Sequence, residues 1–575
     1  MKPPMHVIHS LTDSLFQGKR DFARIIAVVL VFGFAVLFYA LHVSKGSPAL
    51  ISHLIFAELD RGEDPSSRIN SSFLQTAAHR RVDAVAHSYP QSPLSATDSI
   101  HDNETLESPH VTRVFKQSNH QGHPRDSDGD GILSNESSID LQERPRAGFR
   151  DRCKAKYVYI YKLPPEFNED LVDKCGRASG NWVPMCGNLD NNGYGPLVPD
   201  ATLFVNESDA KTVFELKPAH AWYRTEQFSL EVIFHNRLRL GYPCLTENPE
   251  LASAFYIPYY AAMDTAFTLF GTYLPARDRL TQRLVGWLSG SEVWQSYRER
   301  RRHFMVLGRT SWDFCRNESA DGWGSALLSQ AELSNVTTLL IERRTWASKE
   351  IAIPYPSSFH PSSAKDVQIW QETLREQIGK RTKLLASFVG STTRGFEHSR
   401  ALRAELAKQC HQAGANVCKQ HRCGYGESAI DCAGNPERLN AVFLSSIFCL
   451  QPSGDSPTRK SIFDSLVAGC IPVLFSPASA YTQYVWHLPE DGNLYSVFID
   501  EDEVIRGKID VMATLSSIAN DTVRLRSMQE QVISMVPSIV YALASNRSHS
   551  QSKSFHDAVD VVLDNVLADS PVPTA

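Results

Sequence analysis

"QPSGDSPTRKSIFDSLVAGCIPVLF", Gln451 to Phe475, places a polar loop directly after an apolar run, Ile447 to Leu450. The run reads as a buried strand, a short helical pattern follows the loop, and Ile471 to Phe475 reads as a second strand. One earlier stretch has the same plan. Lys383 to Val389, "KLLASFV", is a strand, "GSTTRGFEHSR" is its exit loop, and Ser399 to Cys410 is a helix. Arg400 and Arg403 stand three apart on that helix and share a face. In open α/β sheets, ligands bind in the crevice beyond the carboxyl ends of the strands. Both polar loops leave such ends and feed helix N-termini, where free N–H groups and the helix dipole favour an anion. Arg394, Arg400, Arg403 and Arg459 add positive charge nearby. One such loop alone reads as an ordinary helix cap; two in succession point to a phosphate-bearing ligand.

Working outward, 575 residues exceed one ordinary domain, and a net charge of −6 is small for that length. Neither feature calls for nucleic acid as a partner. Order is expected from Lys156, where "KYVYIYKLPPEFN" alternates as a strand and stops at Pro164-Pro165. Thr225 to Leu240 reads as an amphipathic helix with Glu226 in its first turn. "ASAFYIPYYAAMD" is a buried strand ending near Pro258, with Asp264 at its polar exit, and "HFMVLGRTSWDF" is another ending at Gly308. Strands alternating with helices give an α/β class. "IPYPSSFHPSSAKD", from Ile353, is proline-rich and aperiodic and reads as a boundary. The expected domains are therefore 151–352 and 381–548, joined by a linker at 353–380, with a C-terminal tail at 549–575.

The N-terminal region has another character. "IIAVVLVFGFAVLFYAL", Ile25 to Leu41, carries no charge and is long enough to cross a bilayer as a helix. A cleaved signal peptide is the alternative, but Phe38 fits a small-x-small cleavage site poorly. The expected order is a tail at 1–21, a transmembrane signal anchor at 22–43 and a disordered stem at 44–150. Lys19, Arg20 and Arg24 place the N-terminus in the cytosol and the body in the lumen. Sequons at Asn70, Asn103, Asn135, Asn206, Asn317, Asn335, Asn520 and Asn546 agree with that side. Of the eleven cysteines, the near neighbours Cys175 and Cys186 and the cluster Cys410, Cys418, Cys423 and Cys432 are expected to form disulfides there, with pairing left open. Cys449 and Cys470, in apolar runs, are expected as buried thiols. In the stem, Asp126 to Ser137 begins like a calcium loop but lacks the terminal glutamate, and an acidic linker is the favoured reading.

At this point the residues resemble a family. "FCLQPSGDSPTRKSIFDSLVAGCIPVLF", "YVYIYKLPPEFNEDLVDKC", "WYRTEQFSLEVIFHNRL", "GRTSWDF", "IPYPSSFHP" and "SAYTQYVWHLP" closely resemble the exostosin-type glycosyltransferases of family 47, in particular the plant xyloglucan galactosyltransferase branch. The resemblance implies a GT-B fold, two Rossmann-like domains facing a cleft, behind the anchor and stem of a type II Golgi protein. It implies inverting transfer of a sugar, galactose above all, from a UDP-sugar co-substrate to a cell-wall polysaccharide such as xyloglucan. It implies no essential cofactor or metal. The Asp500/Asp502 pair in "DEDE" reads instead as a solvated helix start or loop.

The resemblance also implies roles. Gln451, Ser453, Gly454, Asp455 and Ser456 match the donor loop, and Arg459 and Arg403 would neutralise the diphosphate. Asp464 would bind the donor sugar or ribose; its alternative is an ion pair with Lys460. Inversion needs a base to take the acceptor proton. Asp264 is the first candidate, with Glu226 and Asp313 as alternatives, and His220 and His360 behind them. Trp222, Tyr223, Tyr259 and Tyr260 read as core, with sugar stacking as the other option. Galacturonic acid, arabinose or xylose remain open as donor sugars. A non-catalytic partner subunit of a Golgi glycosyltransferase complex is the competing class, as is a sulfotransferase, although no P-loop-like element follows the first strand.

Overall fold

The stretch around Gln451 folds as its pattern dictates. Ser446–Gln451 is a strand with most side chains buried, Lys460–Val467 is a helix, and Ile471–Leu474 is a fully buried strand. Gly469, at φ +64°, takes the left-handed turn that stops the helix. The computed structural model describes residues 153–568, apart from 155, 178–183, 200–201, 205–212, 270–273, 318–321, 379–383, 394, 423–435 and 544–554. The expected anchor, cytosolic tail and stem lie outside the described residues. Among the described residues no helix is long and apolar enough to cross a membrane.

The first half runs β1 (Tyr157–Ile160), α1 (Glu169–Arg177), a hairpin of β2 (Thr202–Phe204) and β3 (Val213–Glu215), α2 (Leu230–Gly241), β4 (Ala252–Tyr256), α3 (Ala261–Thr268), α4 (Leu274–Gly290), β5 (Arg302–Thr310), β6 (Thr337–Glu342) and β7 (Glu350–Ala352). β1, β4, β5, β6 and β7 form one parallel sheet in that order. The second half runs α5 (Ala364–Ile378), β8 (Leu384–Val389), α6 (Glu397–Ala413), β9 (Cys418–His421), α7 (Pro436–Leu444), β10 (Ser446–Gln451), α8 (Lys460–Val467), β11 (Ile471–Leu474), β12 (Val497–Phe498), α9 (Thr522–Ile539) and α10 (Ala558–Ala568). Its parallel sheet has the order β12-β11-β10-β8-β9. Two α/β halves, each on a parallel sheet, are the GT-B-like architecture that the resemblance implied.

The two sheets differ in one respect that matters. In the first, the strands follow chain order from edge to edge. In the second, the chain goes from β8 out to β9, then returns to the other side of β8 to make β10. That reversal is a topological switch point, and it opens a crevice between the carboxyl ends of β8 and β10.

Several expectations change. The proline-rich stretch from Ile353, expected as a linker, is buried: Tyr355, Phe359 and His360 are inside, and Phe359 packs on Trp222 with ring centroids 5.0 Å apart. α5 follows within the expected linker, and its Trp370 meets Trp222 edge-on at 4.7 Å. Beyond 548, where a tail was expected, α10 returns to the first half. There Arg237 of α2 binds Asp557, whose side chain is fully buried, at 2.9 Å. The helix expected from Thr225 begins at Leu230, because the Glu226 carboxylate accepts the Phe228 N–H and Thr225 is tied to Tyr194 O. Asp264 lies in the first turn of α3, not in a strand exit.

Cys449 and Cys470 are not thiols. Adjacent strands β10 and β11 bring them together as a disulfide, alongside Cys153–Cys244, Cys175–Cys186 and Cys410–Cys418. Apolar sequence around a cysteine signals burial but says nothing of a partner across the sheet. The 449–470 bridge closes a segment of sequence separation 21 that contains the whole polar loop and α8. Cross-links of this span stabilise by about 2–4 kcal/mol. The double variant Cys449→Ala/Cys470→Ala is expected to lose that amount, measured by denaturant unfolding; an unchanged midpoint would show that the bridge does not constrain the unfolded chain.

Candidate functional site

The crevice at the switch point is lined by the loops after β8 and β10, and two arginines cross it. Arg459, the N-cap residue of α8, donates from Nη1 to Pro452 O and from Nη2 to Val389 O, both at 3.0 Å. Arg403, on α6, donates from Nε to Ser453 O and from Nη1 to Ser391 O, both at 2.8 Å. Each arginine therefore joins one strand-end loop to the other, and in each of these four bonds the acceptor is a neutral carbonyl. Desolvation, with the Arg403 charge acting the same way, pulls the Arg459 guanidinium down to about 9. Burial lowers Arg403 too, opposed by Asp455. Two desolvated cations side by side are costly unless an anion joins them. A diphosphate supplies that anion, with bidentate geometry suited to guanidinium.

The loop itself divides into parts that face inward and parts that face the crevice. Gln451 is buried and its amide is spent on α8: Nε2 donates to Ser461 O at 3.1 Å and Oε1 accepts from Ser461 Oγ at 2.6 Å. Gln451 thus fixes the loop. Ser453 supplies the carbonyl that Arg403 holds. A Cβ at Gly454 would sit 2.8 Å from Arg403 Nη2, so a larger residue there would push the guanidinium out of its place. Asp455 is exposed. Asp464 is buried against Lys460 Nζ at 2.7 Å, the ion-pair arrangement, and burial raises its carboxyl while Lys460 opposes. Arg400 is exposed and bonded to Gly395 O, and Arg394 lies outside the described residues.

In the first half, the equivalent anion position is already filled. The N-terminus of α3, just beyond β4, receives the Glu231 carboxyl, whose Oε1 accepts from Ala262 N at 2.7 Å and Gly308 N at 3.2 Å. Burial pushes that carboxyl up to about 8 in spite of these N–H groups. The Glu231 carboxyl thus takes the place that a phosphate would need there, which leaves the crevice of the second half as the candidate anion site.

The candidate bases separate clearly. Asp264 accepts from Tyr259 Oη at 2.8 Å, and burial pushes it up to about 6; the charges acting on it, Arg279, Lys174 and Asp278, all belong to the first half. Asp313 is held by Arg309 Nε at 2.7 Å and Trp323 Nε1 at 2.6 Å. Glu226 is buried, and desolvation raises its carboxyl; Arg309 and, from across the halves, Lys460 of α8 pull it back. Glu226 thus feels a charge of α8, as does His360, while Asp264 feels charges of the first half. His360 is fully buried, bonded to Thr225 Oγ1 and Tyr541 O, and held down to about 3 by desolvation. His220 pairs with Asp366 at 3.2 Å. Asp500 caps its helix by accepting the Glu503 N–H.

Sequence reasoning missed Glu342. At the carboxyl end of β6, its buried Oε2 accepts from Ser456 Oγ at 2.6 Å, from Thr458 N at 2.9 Å and from Thr458 Oγ1. Its Oε1 accepts from Trp312 Nε1 at 3.1 Å. A first-half carboxylate therefore holds the loop after β10 of the second half. The strand-end position that singled out Asp264 also describes Glu342 in "TTLLIE".

A family profile described as "Exostosin GT47 domain" matches residues 152–515. The chain is 38% identical to the probable xyloglucan galactosyltransferase GT12 of Arabidopsis thaliana, over 78% of this chain and 81% of that protein. It is 38% identical to the xyloglucan galactosyltransferase MUR3 of the same plant, over 72% of this chain and 63% of the longer relative. It is 37% identical to the Arabidopsis xyloglucan-specific galacturonosyltransferase 1, over 76% of this chain and 61% of that protein.

Proposed function

We propose a specific reaction for this chain, which belongs to the exostosin GT47 family and is a glycosyltransferase: transfer of galactose, with inversion, from UDP-galactose to a hydroxyl of a xyloglucan-type polysaccharide. The observation that carries it is the pair of desolvated arginines bridging the switch point. A leaving diphosphate needs fixed positive charge and N–H donors where its charge develops, and Arg403, Arg459 and the first turn of α8 supply them. The acceptor oxygen attacks C1 of the sugar, the C1–O bond to the diphosphate breaks, and UDP departs with the electron pair. The acceptor proton goes to Glu226, a carboxylate raised by burial and therefore a better base than an exposed one. Glu342 positions the donor loop without touching the reacting atoms. Residues 22–43 would anchor the protein in the Golgi membrane with this body in the lumen.

The test is incubation of the full-length protein with galactose-deficient xyloglucan and UDP-galactose, with and without EDTA. The expected result is a gain of one hexose per transfer with matching UDP release in both conditions. A folded protein that does not bind UDP would overturn the reading and favour a non-catalytic subunit. The galacturonosyltransferase relative gives a reason to run UDP-galacturonate in parallel; transfer from it alone would reassign the donor.

A further inference from the structure

Trp346 is 44% exposed, and among the described residues it is the one tryptophan that is so exposed. It lies in the turn after β6 and packs on half-buried Trp312, in the turn after β5, with ring centroids 5.8 Å apart and planes at 55°. β5 and β6 are neighbours, so both rings stand at the carboxyl edge of the first sheet. Trp312 does not float there. Its Nε1 donates to Glu342, whose other oxygen holds Ser456 and Thr458 of the donor loop. An unbroken line of contacts thus runs from an exposed indole face to the loop expected to hold the nucleotide-sugar. Of the aromatic residues first considered for stacking, Trp222, Tyr259 and Tyr260 are buried and Tyr223 is half-buried.

We propose that Trp312 and Trp346 form the acceptor subsite, a stacking platform for the pyranose rings of a β-glucan-type backbone; this rests on the donor-site reading above. β-Linked glucose rings are amphipathic, with apolar C–H groups on their faces and hydroxyls at their edges. An exposed indole offers a large apolar face at little entropic cost. The continuity with the donor loop commits the platform to the sugar chain that accepts the transferred residue. Trp312, through Glu342, also couples the two substrates: an acceptor that orders the rings orders the loop that holds the donor.

The probe is the xylosylated cellotetraose heptasaccharide, the xyloglucan repeat without galactose. Its binding to the full-length protein is measured by calorimetry with and without UDP, and UDP binding is measured separately. Trp346→Ala is expected to weaken the heptasaccharide about tenfold, and Trp346→Phe by no more than about threefold, with UDP affinity unchanged in both. Equal heptasaccharide affinity in Trp346→Ala and the parent would overturn the proposal. So would a parent that binds UDP but not the heptasaccharide. A parent that fails to bind UDP overturns the donor reading instead, and the heptasaccharide titration without UDP still decides the platform.

Discussion

Replacing Arg459 by alanine is expected to lower UDP affinity about 100-fold and kcat by about 10²–10³, the scale of losing a charge-assisted donor at a developing anion. The side chain has two tasks. It ties the end of β8 to the loop after β10, and it brings positive charge to the switch point. Lysine restores the charge but has no planar fork to hold Pro452 O and Val389 O together, so Arg459→Lys should recover little. Thermal unfolding of both variants separates loop damage from loss of fold. If Arg459→Ala bound UDP within threefold of the parent, the diphosphate would have to sit elsewhere.

Glu226→Gln should leave UDP affinity intact while kcat falls by about 10²–10⁴, the usual contribution of a general base. The isostere keeps the acceptor oxygen for Phe228 N, so the turn before α2 persists. Because burial raises the Glu226 carboxyl, and the ionised form is the active one, kcat/KM should rise with pH through a value above the ordinary glutamate range. Arg309 pulls that value down, so Arg309→Leu should move the rising limb to higher pH. The measurement is a pH profile of the parent and both variants. Full activity in Glu226→Gln would transfer the role to Asp264 or Asp313. Asp264→Asn is expected to change activity little, since its carboxyl is engaged by Tyr259 Oη on the first-half side.

The sequence by itself determined the α/β class, the strands on either side of the loop at 451–459, and the arginines at 403 and 459. These follow from local rules. Apolar runs of strand length bury themselves, and polar loops at strand ends followed by helices recur wherever anions bind. Local rules also described Gln451 and Asp464 as polar residues near a ligand, yet Gln451, at the end of β10, is satisfied by Ser461 of α8, and Asp464 by Lys460 one turn before it. That distinction depends on side-chain direction, which spacing along the chain does not carry. The tertiary structure alone decided the rest. The strand order that makes β8 and β10 neighbours is a property of sheet assembly. The Cys449–Cys470 bridge needs β11 beside β10. Glu342, Trp312 and Trp346 acquire their meaning only where the first sheet's strand ends meet the donor loop, more than a hundred residues further along the chain. A buried carboxylate gains its hydroxyl and N–H partners through long-range packing, and no local pattern in "LLIERRTW" announces them.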